Sequence, residues 1–225
     1  MKAAIITPAF NRLEYTTRCV NVVRQNTFFP DYEHIVVNNN STDGTKEWLD
    51  WVTSKSSDYF SRVKPLHLSE NIGGWGGIIA GAKIADRPDY IVQLDNDMEV
   101  PPRWLMTMID VLLQQENVGV VALKRGGVQQ VLTPTTLKLV PTVSGNHFVG
   151  DITVSVGMFV TRADDFFEYA EKVPKGYFYA GAVGKRCLKI DDMLCQQIEG
   201  WDGERYLQQK KYHKCDITGN LKSDA

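Results

Sequence analysis

An α/β fold built on a mostly parallel sheet is what this sequence predicts, and three observations carry the expectation. Short apolar runs alternate with helix-like stretches from residue 3 to 124. Polar loops follow the apolar runs directly, at the strand ends where open α/β sheets collect their ligands. With 225 residues, 43% of them hydrophobic, the chain can bury a sizeable core as one domain.

The apolar run in "MKAAIITPAF" is the first strand, ended by Thr7 and Pro8, and is too short for a signal peptide. A helix follows, with Asn11 as its expected N-cap and Glu14 three residues on, as in a capping box. Its inner face carries Leu13, Val20 and Val23, with Cys19 alongside. Residues 35–37 form the second strand, and "NNNSTDGTKEWL" turns into a second helix. In the third strand, "VKPLHL", Pro65 predicts an edge or irregular position. "NIGGWGGIIAGAKIA" enters a third helix, and "YIVQL" is the fourth strand. Pro101 and Pro102 open a helix with Trp104, Leu105, Met108, Ile109, Leu112 and Leu113 on one broad face; "VGVVALK" is the fifth strand.

After Lys124 the strand-forming residues are broken by Pro and Gly, consistent with hairpins or long loops. Helical patterns return around 163–171 and 204–211. There is no repeat and no clear linker, so the second half reads as an extension of the first sheet. A net charge of -2 gives no reason to expect non-specific nucleic-acid binding. Cys19, Cys187, Cys195 and Cys215 lack CxxC spacing and read as free thiols of a cytosolic protein. No apolar run approaches the roughly 20 residues that span a bilayer. Membrane contact, if any, is expected to be peripheral.

The stretch "IVQLDNDMEVPP" puts Asp95 and Asp97 at the end of an apolar strand. In an extended segment the two carboxylates point the same way and suit an oxygen-liganded Mg²⁺ or Mn²⁺. A solvated turn capping the next helix is the plainer reading of the pair alone. An EF-hand is disfavoured, because glycine and glutamate are missing at the sixth and twelfth positions. Asn38 follows a buried run directly, and its amide suits the edge of a nucleobase. Ser41, Asp43 and Gly44 are accounted for by a turn and a helix cap. Gly77 and Gly81 suit tight helix–sheet packing, whereas Gly73 and Gly74 could border a diphosphate. Neither the dinucleotide nor the P-loop glycine fingerprint is present. Trp48 and Trp104 fit helix core faces. Trp75 and Trp201 fall in expected loops near the crevice, where they could stack on a sugar.

"ITPAFNR", "VVNNNSTDGT", "NIGGWGG" and "QLDND", in this order, resemble a family 2 glycosyltransferase of the GT-A type. The likeness covers residues 3–100, and "SVGMFVTRADDF" extends it to the family's acceptor-side segment. It implies a GT-A fold: a Rossmann-like, mostly parallel sheet flanked by helices, with a mixed C-terminal acceptor-side extension. One domain, 1–225, would comprise a nucleotide-sugar-binding half, 1–100, and an acceptor-side half, 101–225. The resemblance implies that Thr7, Pro8 and Ala9 border the nucleoside and that Asn38 stands where the family usually has a base-contacting aspartate. Gly73, Asp95 and Asn96 complete the expected donor contacts. Asp95 and Asp97 match the family's D-x-D, the second as metal ligand and the first on the ribose or on the metal through water.

The family supplies its base from an "ED" pair before an amphipathic helix. "EGWDGERYLQQKKYHK" resembles that segment, favouring Asp202 and then Glu204; a rival register makes Asp191 or Asp192 the base. Some relatives add a late histidine to the metal, for which His147 and His213 are candidates left outside the ligand set. The implied reaction moves a sugar from a nucleoside-diphosphate sugar to a hydroxyl of a glycan, lipid carrier, protein or modified nucleic acid, with inversion. A sugar nucleotidylyltransferase is the rival enzyme, although "TPAFNRLEY" is not its Gly-rich basic loop. A degenerate nucleotide-sugar-binding module is the non-enzymatic one.

Overall fold

The computed structural model describes residues 1–54, 60–126, 136–152, 157–172 and 184–198. The parallel core is β1 (Ala3–Ala9), β2 (Tyr32–Asn38), β3 (Val63–His67) and β4 (Tyr90–Leu94), separated by α1 (Leu13–Asn26), α2 (Thr45–Ser54) and α3 (Gly73–Ile84). Then come β5 (Met98–Glu99), α4 (Trp104–Gln114), β6 (Val118–Gly126), β7 (Leu137–Thr142) and β8 (Gly145–Ile152). The last are β9 (Met158–Arg162), α5 (Ala163–Lys172) and β10 (Arg186–Gln197). One sheet holds them in the order β3-β2-β1-β4-β9-β6-β10-β8-β7, with β5 paired to β10. Pro65 does lie on an edge strand, β3.

The fifth strand of the sequence reading, β6, does not continue the parallel series. β9 inserts antiparallel between β4 and β6, so the sheet is mixed at its centre. Burial on both faces explains its place: Met158 and Val160 join one core, Phe159 the other. Alternation along β1 separates these cores. Ala3 and Ile5 pack with residues of α1 and α4, while Ala4 and Ile6 pack with residues of α3 and α5. Gly81 lets α3 approach the sheet, since a Cβ there would lie 2.5 Å from Ile6 Cγ2 and 3.0 Å from Val37 Cγ2.

Two helix readings are corrected. Asn11 does not cap α1: the N-cap is Arg12, with φ 64°, and no side chain of its own caps the helix. Asn11 instead accepts from the Thr42 amide at 2.8 Å, and Asp43 reaches across to accept from the Leu13 amide at 2.7 Å. In α4, Leu113 is exposed and Val111 buried. The helix is turned toward the β7–β8 hairpin, where Thr107 bonds Ser144 at 2.6 Å and Gln114 donates to the Pro141 carbonyl at 3.0 Å.

His34 shares a 2.9 Å hydrogen bond with Thr7 in the interior, and burial pushes its pKa down to about 3. The folded chain therefore holds this imidazole neutral where an unfolded chain, titrating near 6.5, already binds a proton. Its contribution to stability is full above about 6.5 and is lost as the pH falls toward 3. His34→Gln, which retains a partner for Thr7, is expected to flatten the stability profile between pH 6 and 4 by up to about 1.4 kcal/mol per pH unit. Urea denaturation of both proteins across that range checks this; parallel profiles would refute it.

Candidate active site

The carboxyl ends of β1, β2, β3, β4, β6 and β10 share one edge of the sheet, as their pairings require. The loops after β1 and β2 are laced together there. The Asn11 amide donates to Ser41 Oγ at 2.9 Å, and the Asn39 amide donates to the Ala9 carbonyl at 2.8 Å. Asp43 also accepts from the Thr45 amide and hydroxyl, at 3.2 and 2.6 Å, so one carboxylate serves the starts of two helices.

Asn38 is buried and already engaged. Its Oδ1 accepts from the Ser41 amide at 2.9 Å, and its Nδ2 lies 3.2 Å from His67 Nδ1. His67 Nε2 in turn meets Asp50 Oδ1 at 2.9 Å. A carboxylate needs a donor, so Nε2 carries the proton and Nδ1 accepts from the Asn38 amide. Asn39 grips the glycine loop: its Nδ2 donates to the Gly73 carbonyl at 2.9 Å, and its Oδ1 accepts from the Ile72 amide at 3.0 Å. Gly73 itself has φ 79°, a conformation open to glycine at little cost.

The side chains of Thr7 and Ala9 are fully buried, the first on His34 and the second in a core with Val20, Val36 and Leu49. Pro8 lies against α3, where a Cβ on Gly77 would be 3.2 Å away. Trp75 is a buried residue of α3, packed on Phe166 and Tyr169 with centroids 5.6 and 5.8 Å apart, and is no loop residue. The glycine helix begins earlier than the sequence suggested, because Asn39 fixes its entry.

Residues 95–97 form a turn between β4 and β5, so strand alternation does not orient the two carboxylates as expected. The Asp95 amide donates to the Gly157 carbonyl at 2.8 Å. Asn96 turns its amide inward, donating to Thr16 Oγ1 on α1 at 2.9 Å. Asp97 is buried, with Oδ2 accepting from Gln197 Nε2 at 3.0 Å and from Arg12 Nη1 at 3.4 Å. Its Oδ1 is buried and has no hydrogen-bond partner. Arg12 also lies over the Tyr15 ring, 4.6 Å from the centroid. Beneath the turn, the Cys19 thiol donates to the Asp95 carbonyl at 3.7 Å, and burial pushes its pKa far up, so it stays a thiol.

Among the described residues no group of three or more His, Cys, Asp and Glu side chains is placed to hold a metal ion. His147 shares a bond with Ser144 and lies 3.3 Å from Asp192 in the β8 region. Asp192 further accepts from the Phe148 amide at 3.1 Å. Asp191 pairs with Lys189 and Lys124, at 2.8 and 3.7 Å, and the lysines hold its carboxyl below its ordinary value. Trp201, Asp202, Glu204 and His213 lie outside the described residues. The sequence reading missed Arg12, Asn39 and Gln197. Arg12 was visible as the cation closing "ITPAFNR", but Gln197 carries no local signal.

The family model described as Glycosyl transferase family 2 matches residues 4–161. No curated protein matches the sequence. Among solved structures, residues 1–349 of TarS from S. aureus superpose with a TM-score of 0.61 at 17% identity, covering 88% of this chain and 60% of that one. GalNAc-T7, solved with UDP, GalNAc and Mn²⁺, gives 0.69 at 14% identity, covering 90% of this chain and 44% of that one. The mannosyltransferase PcManGT from Pyrobaculum calidifontis, solved with GDP-Man and Mn²⁺, gives 0.61 at 14%, covering 93% and 60%. This chain thus spans at most about three fifths of these proteins. At such identities the likeness shows the fold: α/β, of the GT-A type, with a mixed central sheet flanked by helices.

Proposed function

This chain belongs to glycosyl transferase family 2, and we propose that it transfers a sugar from a nucleoside-diphosphate sugar to an acceptor hydroxyl, using a divalent cation and inverting the anomeric carbon. The observation that carries the reading is the partnerless, buried Oδ1 of Asp97 at the ligand edge of the sheet. A buried carboxylate oxygen without a donor is costly, and a hard cation such as Mn²⁺ or Mg²⁺ is the kind of ligand that relieves it. Asp97 would bind it, with Asp95 contributing directly or through water. A structure of TarS with UDP-GlcNAc and the Mn²⁺ complexes of GalNAc-T7 and PcManGT support a nucleotide-sugar donor and a divalent ion.

Bound there, the cation would supply Lewis-acid neutralisation of the departing diphosphate. The protein's own groups do the rest. Arg12, held beside Asp97, adds a positive guanidinium to the same pole of the site. The loop at Gly73, fixed by Asn39, offers backbone close enough for a diphosphate. The backbone of Thr7, Pro8 and Ala9 borders the nucleoside, while Asn38 and Asn96 shape the pocket through the loops they tie. Asp202 takes the proton of the acceptor hydroxyl as its oxygen attacks the anomeric carbon, and the diphosphate leaves from the opposite face. Residues 1–100 thus bind the donor and 101–225 face the acceptor, within one domain. Among the described residues no helix is long and apolar enough to cross a membrane. Among the described residues Cys19, Cys187 and Cys195 are buried thiols, which suits a reducing compartment and so a cytoplasmic site of action.

Thermal-shift titration of uridine, guanosine, adenosine, cytidine and thymidine diphosphates, with and without Mn²⁺, tests this. One nucleotide is expected to raise the melting temperature only with the metal, by about 5–10 °C at a hundredfold excess over Kd. No shift with any of them would reject the reading.

A further inference from the structure

Gln197 is the last residue of β10, 100 positions from Asp97, and no motif joins the two. The short β5–β10 ladder brings them together, pairing Gln197 with Met98, while the Ile198 amide donates to the Asp97 carbonyl at 2.8 Å. Gln197 Nε2 then donates to Asp97 Oδ2 at 3.0 Å. The amide orientation follows from charge: the flipped form would set its oxygen against a carboxylate oxygen, with no proton between them. That orientation leaves Gln197 Oε1 outside the bond to Asp97.

Gln197 Oε1, like Asp97 Oδ1, is buried without a hydrogen-bond partner, and the two residues are only 8% and 7% exposed. Each unpaired acceptor costs about 1–3 kcal/mol. Two such oxygens on two side chains already bonded to each other, at the ligand edge, point to one shared electropositive occupant. We propose that Gln197 Oε1 is a ligand of the same divalent cation as Asp97 Oδ1, so that an amide from β10 takes the late position in the coordination shell. The inference rests on the cation-dependent reading above and deepens it.

The chemistry suits the ion. Carboxylate and amide oxygens are hard donors of the kind that Mg²⁺ and Mn²⁺ accept. A neutral ligand also leaves the shell short of negative charge, which the diphosphate supplies. Cation and nucleotide therefore bind together, each weakly without the other. Gln197 has a second role in the same contact, holding Asp97 Oδ2 so that Oδ1 stays turned to the ion.

Mn²⁺ titrations of the full chain with UDP and with GDP, followed by the loss of the free-ion EPR signal, separate the possibilities. Electron–nuclear double resonance in H₂O and D₂O counts the waters left on the bound ion. Gln197→Leu is expected to weaken Mn²⁺ binding at least tenfold and to add one water to its shell. Gln197→Glu, which returns a ligand oxygen but not the donor to Asp97 Oδ2, is expected to restore the water count. If Gln197→Leu does not fold, the Gln197→Glu protein decides alone at saturating Mn²⁺: the wild-type water count supports the ligand role, and an added water overturns it. Wild-type behaviour of Gln197→Leu, beside loss of binding in Asp97→Asn, would overturn the Gln197 assignment and leave the cation site standing. A folded wild-type chain that holds no Mn²⁺ with either nucleotide would overturn the cation reading itself.

Discussion

Asp97→Ala is expected to lower metal-dependent transfer by roughly 10³-fold or more, about 4 kcal/mol of transition-state stabilisation, in a chain that still folds. One oxygen of this carboxylate, Oδ1, is buried with no hydrogen-bond partner, so its removal breaks no hydrogen bond and, on the proposed reading, takes away a metal ligand. Its other oxygen does have partners, Arg12 and Gln197. Alanine would leave the Gln197 amide short of an acceptor, at a cost of about 1–3 kcal/mol. Arg12 is partly exposed and can turn to water. Asp97→Asn separates the two effects, since it keeps an acceptor for Gln197 and loses the charge. Asp97→Ala should then melt up to about 10 °C below the wild type and Asp97→Asn within a few degrees of it, and neither should be stabilised further by Mn²⁺ with nucleotide. Transfer at wild-type rates in either, measured with Mn²⁺ present, would show that Asp97 does not hold the cation.

How much of this was legible in the sequence follows from the range of each signal. Hydrophobic alternation is local, so the parallel β1–β4 core and its helices were readable, as was the edge position that Pro65 demands. The glycine spacing of α3 was also readable, because Gly81 admits an approach too close for any Cβ and Gly77 a tight one. The insertion of β9 was not. Its apolar run shows that it is buried but not which strands flank it, and nothing local distinguishes an antiparallel neighbour from a parallel one. The cap of α1 failed for a related reason: Asn11 has the right chemistry, but Thr42 from another loop claims its oxygen and Asp43 replaces it. Trp75 looked like a loop residue between glycines until Asn39, 36 positions earlier in "VVNNNSTDGT", fixed the start of its helix. The candidate site splits the same way. Asp95 and Asp97 announce themselves as acids ending an apolar strand, whereas Gln197 is a polar residue in a late strand that acquires meaning only through the β5–β10 ladder.

Asp202→Asn is expected to leave donor binding intact and to reduce turnover about 10²–10⁴-fold, the range that general base catalysis contributes. The assignment comes from the likeness of residues 199–214 to the family's base segment, and the alternatives can be weighed on their own chemistry. A base for a hydroxyl works best with a pKa raised toward the working pH. Asp191 is displaced the other way by Lys189 and Lys124, and Asp192 is occupied by the Phe148 amide and by His147. A proton arriving at either would compete with these existing contacts. Asp191→Asn should therefore act mainly through stability, through the loss of its lysine pairs, with turnover of the folded fraction near wild type. Single-turnover kinetics together with nucleotide affinity distinguish the two variants. If Asp202→Asn turns over normally while Asp191→Asn or Asp192→Asn stops the reaction with the donor still bound, the proton goes to β10. The acceptor would then have to approach over the β8–β10 face instead of the segment that follows it.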